Sequence, residues 1–416
     1  MKNLEEENIL IIGNGFDLQL GLKSEFWDFI NNTYFLNNKI DIRNLYQQSK
    51  IYKFDPYVLL KLWFLGNKME SEEDIKKCLN QNYFIFAYVY FKFLEYNSKF
   101  PNVNEIQIDD SWSDVETGLK QILLNRWKIS WWGEVRSLIL PKSIKINRLK
   151  SIRNSLNDFE KKFNNYLICL TKHDYQEKLT DNLEKFIKRF KINSGIQSWR
   201  IINFNYTKID NSKINHRFSK LDIRDALLIT SHNIHGYIID DKNNKLKSNI
   251  IIGIDDTNGN TEDIRNNINE KFPEFTKSYR KVLLNSIHQK YSFEDQKIIA
   301  LPLHSFFCLP SKQNNTRYKI YFYGHSLSEN DYSYFQAIFD KYDLYSSNTE
   351  LHFVYPPNKE DKTTPDPEHC NYLSIYKLIH KYGKSLDNKE KGNNLFSKLI
   401  LENRLIIDII DWDHNE

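Results

Sequence analysis

The chain has 416 residues, enough to bury a large core, and its 58 basic against 54 acidic residues leave a net charge of only +4, a balance too mild to point to a nucleic-acid or membrane partner. Its four cysteines (Cys78, Cys169, Cys308 and Cys370) form no C-x-x-C pair, which argues against a cysteine zinc site and against a disulfide-dense secreted scaffold. The 25 Tyr and 27 Phe read as a thick aromatic core rather than a base-stacking surface.

Residues 1–8 are acidic, and the apolar run after Asn8 is too short for a signal peptide. The longest apolar stretch, 84–91, falls far short of a bilayer span, so a soluble, cytoplasmic protein is expected. Ile9-Leu10-Ile11-Ile12 reads as a fully buried parallel strand stopped at Gly13. Ser24, followed by Glu25, Phe26 and Phe29, predicts an N-capped helix. From 31 to 195 glycine and proline become rare, and 83–96, 115–127 and 149–170 carry apolar residues at helical spacing. Strand character returns at 199–204, 227–229, 250–254, 319–323 and 351–355, the last closed by Pro356-Pro357. Ser328, with Glu329 and Asp331, predicts a capped helix running through Phe335 and Phe339. Residues 405–410 can supply one more strand.

Strands alternating with helices predict an α/β fold with a Rossmann-like, mostly parallel sheet and a large α-helical insertion. The expected organisation is a first strand and nucleotide loop in 1–30, a helical insertion in 31–195, the rest of the α/β domain in 196–357, and a C-terminal segment, 358–416, packing on it.

Four short strings are candidates for chemistry. Gly13-Asn14-Gly15 joins a strand to a helix, where small residues let a pyrophosphate approach the backbone; a simple tight turn is the alternative, since Leu18 stands where a third glycine would be. Asp17 falls in the first helical turn, either compensating the dipole or touching a ligand ribose or nicotinamide. Asn205 follows a strand end, where catalytic groups of open α/β sheets collect, though Asn is also a common turn residue. His235, before Gly236, has the pKa range of a general base, and His232 is the weaker candidate. Gly324-His325-Ser326-Leu327 again joins strand to helix and can present N–H groups and a hydroxyl to ribose or phosphate. Asp331 reads as a helix-start residue, with ligand contact as the alternative. Asp114 and Glu116 lie two apart and do not share a helix face; Asp114 reads as a first-turn acid, and Glu116 has the alternative of pointing into a cleft between insertion and sheet.

Taken together, the chain resembles the AbiH family of bacteriophage abortive-infection proteins. The resemblance rests on Ile11-Ile12-Gly13-Asn14-Gly15-Phe16-Asp17-Leu18, Trp112-Ser113-Asp114-Val115-Glu116, Asn203-Phe204-Asn205-Tyr206-Thr207, Ile234-His235-Gly236, Gly253-Ile254-Asp255 and Tyr323-Gly324-His325-Ser326-Leu327. It spans residue 9 to about 355. By motif order the chain is also distantly similar to the sirtuin or SIR2-like NAD-binding fold. There Gly13-Asn14-Gly15 takes the place of a Gly-Ala-Gly loop and Phe204-Asn205 that of a Gln-Asn pair. His235-Gly236 matches a His-Gly carrying the base, and Gly324-His325-Ser326 a Gly-Thr-Ser loop. The four-cysteine zinc module and the Asp-Phe-Arg string of sirtuin deacetylases are absent, which argues against deacetylation.

The resemblance implies antiphage abortive infection through cleavage of the nicotinamide–ribose bond of NAD⁺, with Asn205 and His235 catalytic. Gly13, Asn14, Gly15, Phe16 and Asp17 would bind on the pyrophosphate side. Gly324, His325, Ser326 and Leu327 would bind on the adenosine side. NAD or a related adenine nucleotide would be the substrate and no metal would be needed; a phage-derived trigger is expected as a partner, and homo-oligomerisation stays open. Two rivals stand beside it: a non-catalytic nucleotide-binding sensor or interaction module, and a metal-dependent nuclease or nucleotide hydrolase using Asp17, Asp114 and Glu116 with Mg²⁺.

Overall fold

The computed structural model describes residues 5–35, 82, 84–85, 112–124, 148–172, 174–190, 197–220, 228–239, 249–255, 272–292, 316–356 and 367–410. Most of the expected helix at 83–96, Cys78 and Cys308 lie outside them; of the polar, proline-containing stretch 358–369, expected as an exposed loop, 358–366 also lie outside them and 367–369 instead open helix Pro367–Ser385. The chain forms two compact units: residues 1–22, 171–237 and 287–416 make one, and 23–170 with 238–286 the other.

The first unit holds a six-stranded sheet. Its strands are β1 (Glu5–Ile12), β2 (Gln197–Asn203), β3 (Leu228–Asn233), β4 (Thr316–Tyr323), β5 (Glu350–Tyr355) and β6 (Leu405–Ile409). Every pairing is parallel and the order is β3-β2-β1-β4-β5-β6. The parallel α/β architecture read from the sequence is therefore observed, with 405–409 as its last strand. Strand order reverses between β1 and β4, the switch point at which open α/β sheets bind ligands.

The sheet is buried on both faces, which is why its central strands read as continuous apolar runs; Ile9, Leu10, Ile11 and Ile12 are all fully buried. One face carries Ile9, Ile11, Ile202, Phe204, Ile320, Phe322, Leu351 and Phe353. It packs on Phe335, Ile338 and Phe339 of helix Tyr332–Lys341 and on residues of helices Pro367–Ser385 and Lys389–Leu401. On the other face Phe186, from helix Tyr175–Phe190, has ring centroids 6.1, 5.8 and 5.4 Å from Trp199, Tyr321 and Tyr323. That helix, inside the stretch read as insertion, belongs to the sheet unit.

The second unit includes helices Phe26–Ile30, Trp112–Leu124 and Arg148–Leu170 and the start of Lys277–Ser292. Its core is aromatic: Phe29 lies 5.1, 5.0 and 5.4 Å from Phe159, Phe163 and Tyr166. Helix Phe26–Ile30 takes Glu25 at its N-cap, one residue past the expected Ser24, and continues as a π-helical turn, Asn31–Phe35.

The run 250–254 is not a strand of the sheet. It is a buried extended segment of the second unit, and among the described residues its ladder contact is an isolated bridge from Ile254 to Thr276. Ile254 N–H donates to Phe275 O at 2.9 Å, whereas at Ile252 and Gly253 side chains take the place of a neighbouring strand. Ile252 N–H donates to Glu160 Oε1 at 2.9 Å, Gly253 N–H to Glu116 Oε1 at 3.4 Å, and Ile252 O accepts from Arg280 Nη1 at 2.6 Å. Buried backbone groups must be paired, and here carboxylates and a guanidinium pair them. Burial raises the Glu160 pKa despite the Arg280 guanidinium beside it. Among the described residues, no helix is long and apolar enough to cross a membrane.

Candidate functional site

The turns after β1 and β4 meet backbone to backbone. Gly13 N–H donates to Tyr323 O at 3.1 Å, and Gly15 N–H donates to Gly324 O at 2.8 Å. Gly324 has φ +65, the left-handed region, and a Cβ there would stand 2.3 Å from the Phe16 amide nitrogen. Close packing of two loops thus accounts for the glycines. Phe16 N–H closes on Gly13 O at 3.0 Å, so the amides of Gly13, Gly15 and Phe16 all end on protein carbonyls. The Phe16 ring is fully buried, 5.5 Å from Tyr323. Asn14 is half-buried, Ser326 is exposed and Leu327 is buried.

Asp17 lies in the first turn of helix Asn14–Gln19, fully enclosed. Its Oδ1 accepts from the Tyr175 hydroxyl at 2.7 Å and its Oδ2 from the Thr207 hydroxyl at 2.9 Å. Burial pushes its carboxyl up to about 6, against hydrogen bonds from Tyr175, Thr207 and Asn205 that pull the other way. Asp17 therefore ties the β1 turn to the β2 turn and to the start of helix Tyr175–Phe190. Tyr175 carried no sequence signal for this role.

The string from Asn203 to Thr207 is held by its own amides. Asn203 Oδ1 accepts from Asn205 N–H at 2.8 Å, and Asn203 Nδ2 donates to Thr207 O at 2.8 Å. Asn233, at the end of β3, donates from Nδ2 to Asn205 O and Thr207 O, each at 2.8 Å. The Asn205 carboxamide donates from Nδ2 to Gly13 O at 2.9 Å. Asn205 is thus both a turn residue and a direct link to the first glycine turn.

His235 is buried, and its Nε2 lies 2.9 Å from Asp331 Oδ1. Asp331 Oδ2 lies 3.5 Å from His325 Nε2, and His325 Nδ1 accepts from Leu327 N–H at 2.9 Å. Leu327 holds φ 56, an uncommon conformation for a branched residue. The Phe204 ring lies against both imidazoles, 5.5 Å from His235 and 4.6 Å from His325, while Tyr206 and Tyr334 stand 6.3 and 5.5 Å from His235. Ser328 caps the following turn as expected, accepting from Asn330 N–H at 3.2 Å. Asp331 occupies the N-cap of helix Tyr332–Lys341 but makes no side-chain cap bond; its carboxylate goes to the imidazoles. The sequence reading saw the helix start and missed this pairing.

The structure thus brings the β1, β2, β3 and β4 turns together. Asn205 engages the Asp17 and Gly13 side, and His235 engages Asp331. His232 sits within β3, opposite Ile202. In the other unit Glu116 is buried and pairs with Lys277 at 2.7 Å, while the Asp114 side chain lies outside the described residues. Among the described residues, no group of three or more His, Cys, Asp or Glu is placed to hold a metal ion.

The family described as bacteriophage abortive infection AbiH matches residues 9–355. The chain belongs to that family, and membership places it among phage abortive-infection proteins. No curated protein and no solved structure matches it.

Proposed function

With AbiH membership as the premise, we propose that this protein aborts phage infection by cleaving the nicotinamide–ribose bond of NAD⁺. One observation carries the reading. The strings 13–17, 203–207, 235–236 and 324–327 all follow the C-terminal ends of four adjacent parallel strands, at the point where strand order reverses. The order of these strings, similar to that of SIR2-like proteins, supports it.

In this reaction water attacks the ribose C1′ as the glycosidic C–N bond breaks. The bonding pair goes to the pyridinium nitrogen, so nicotinamide leaves neutral, and the water loses a proton. His235 accepts that proton directly or through a ribose hydroxyl. Asn205 orients the ribose, the amide or the water, and the β1 and β4 turns flank the nucleotide. A phage-derived trigger sets off the reaction, and loss of NAD⁺ arrests the infected cell.

Incubating purified protein with NAD⁺ and infected-cell extract, and following nicotinamide by chromatography, tests the proposal. Release that falls about 10²-fold in His235→Ala supports it; silence with extract present counts against it. A second reading, nucleotide sensing without turnover, is favoured by one observation: Asn205 and the first-turn amides bond to protein atoms. It predicts saturable NAD⁺ binding in calorimetry with no nicotinamide released.

A further inference from the structure

We infer that Asp331 is the positioning residue that fixes the tautomer of His235 and makes Nδ1, not Nε2, its basic nitrogen. The inference rests on the reading of His235 as the base and adds a residue, an atom and a proton inventory to it.

The geometry starts at His325. Its Nδ1 accepts the Leu327 amide hydrogen at 2.9 Å. A nitrogen that accepts carries its lone pair, so the proton of this neutral imidazole sits on Nε2. That N–H faces Asp331 Oδ2 at 3.5 Å. The other oxygen, Oδ1, lies 2.9 Å from His235 Nε2. A carboxylate accepts and does not donate, so His235 Nε2 is also the protonated nitrogen. The carboxylate thus receives the His235 N–H at 2.9 Å and stands within ion-pair distance, 3.5 Å, of the second imidazole. The lone pair of His235 is left on Nδ1, the nitrogen able to take a proton from a ribose hydroxyl or water.

The surroundings restrict the rings to this arrangement. Phe204 packs against both imidazoles and Tyr334 against His235. The left-handed Leu327 supplies the amide that locks His325. Asp331 makes no cap bond to its own helix, so its carboxylate is not accounted for by helix capping. His325, matched by resemblance to the adenosine side, here stands 3.5 Å from Asp331.

Nitrogen-15 spectra of the histidine side chains test this in the full-length protein, with His235→Gln and His325→Gln for assignment. The wild type should show both imidazoles as Nε2–H tautomers when neutral. In Asp331→Asn the His235 preference should be lost, and its titration midpoint should fall by about one pH unit or more; Asp331→Glu should restore part of both. A wild-type His235 bearing its proton on Nδ1 overturns the inference even if no Asp331 variant folds, and so does an Asp331→Asn spectrum identical to wild type. Activity separates the two claims. If the tautomer result holds and NAD⁺ is never cleaved, the function fails and the assignment stands. If NAD⁺ is cleaved and Asp331→Asn leaves kcat and its pH profile unchanged, the positioning role fails. The expected loss is about 10²-fold or more in kcat with KM little changed.

Discussion

The Thr207 hydroxyl donates to Asp17 Oδ2 at 2.9 Å inside the sheet unit, joining the turns after β1 and β2 through a carboxylate shut off from water. Burial lifts the Asp17 pKa from 3.8 to about 6. A raised carboxyl pKa means that ionising Asp17 costs the folded state stability. Below 3.8 it is protonated folded or unfolded and has no effect; above about 6 the full penalty applies, about 3 kcal/mol. Asp17→Asn should therefore gain stability relative to wild type as pH rises from about 4 to about 7. Urea titrations across that range check this, and a difference that stays flat refutes it.

His352 behaves in the opposite sense. Burial lowers its pKa, but Asp408 on β6 at 2.9 Å and Glu350 on its own strand at 3.4 Å outweigh burial and raise it above 6.5. The Tyr321 ring stacks on it and Phe190 lies edge-on. Its contribution is complete below 6.5 and disappears as pH rises through the raised folded value. The stability advantage of wild type over His352→Gln should shrink as pH rises above 6.5, as measured by denaturant midpoints.

Gly324→Ala places a Cβ 2.3 Å from backbone at a left-handed residue. Neither Phe16 N nor Gly15 can yield without moving β1. A loss of roughly 2–4 kcal/mol is expected from strain and overpacking combined, read as a lowered urea midpoint. A neutral outcome would show that the two turns do not pack this way.

Glu160→Ala removes an acceptor from Ile252 N–H and leaves the Arg280 guanidinium without its carboxylate. Breaking a buried pair on one side costs about 3–5 kcal/mol. Faster limited proteolysis of the second unit is the expected readout, with the sheet unit retained.

Much of the sheet was legible because a strand buried on both faces leaves an uninterrupted β-branched run, as in Ile9 to Ile12, and a glycine marks its end. The same rule misassigned 250–254. That run is equally apolar and equally buried, but the amides of Ile252 and Gly253 end on Glu160 and Glu116, more than ninety positions away in sequence. Nothing in a local pattern reports a side chain standing in for a strand. The site shows the same division. Asn205 and His235 stood next to strand ends and could be named. Tyr175 and Asp331 act through contacts across 158 and 96 positions, and each had an ordinary local explanation as a helix residue.

The central claim is tested most directly by measuring NAD⁺ and nicotinamide in phage-infected bacteria expressing the wild type or His235→Ala, where infection itself supplies the trigger. The account predicts that NAD⁺ falls and nicotinamide rises with the wild type, while the variant keeps its NAD⁺ and permits phage growth. Infection that is aborted by the wild type with NAD⁺ unchanged would contradict it.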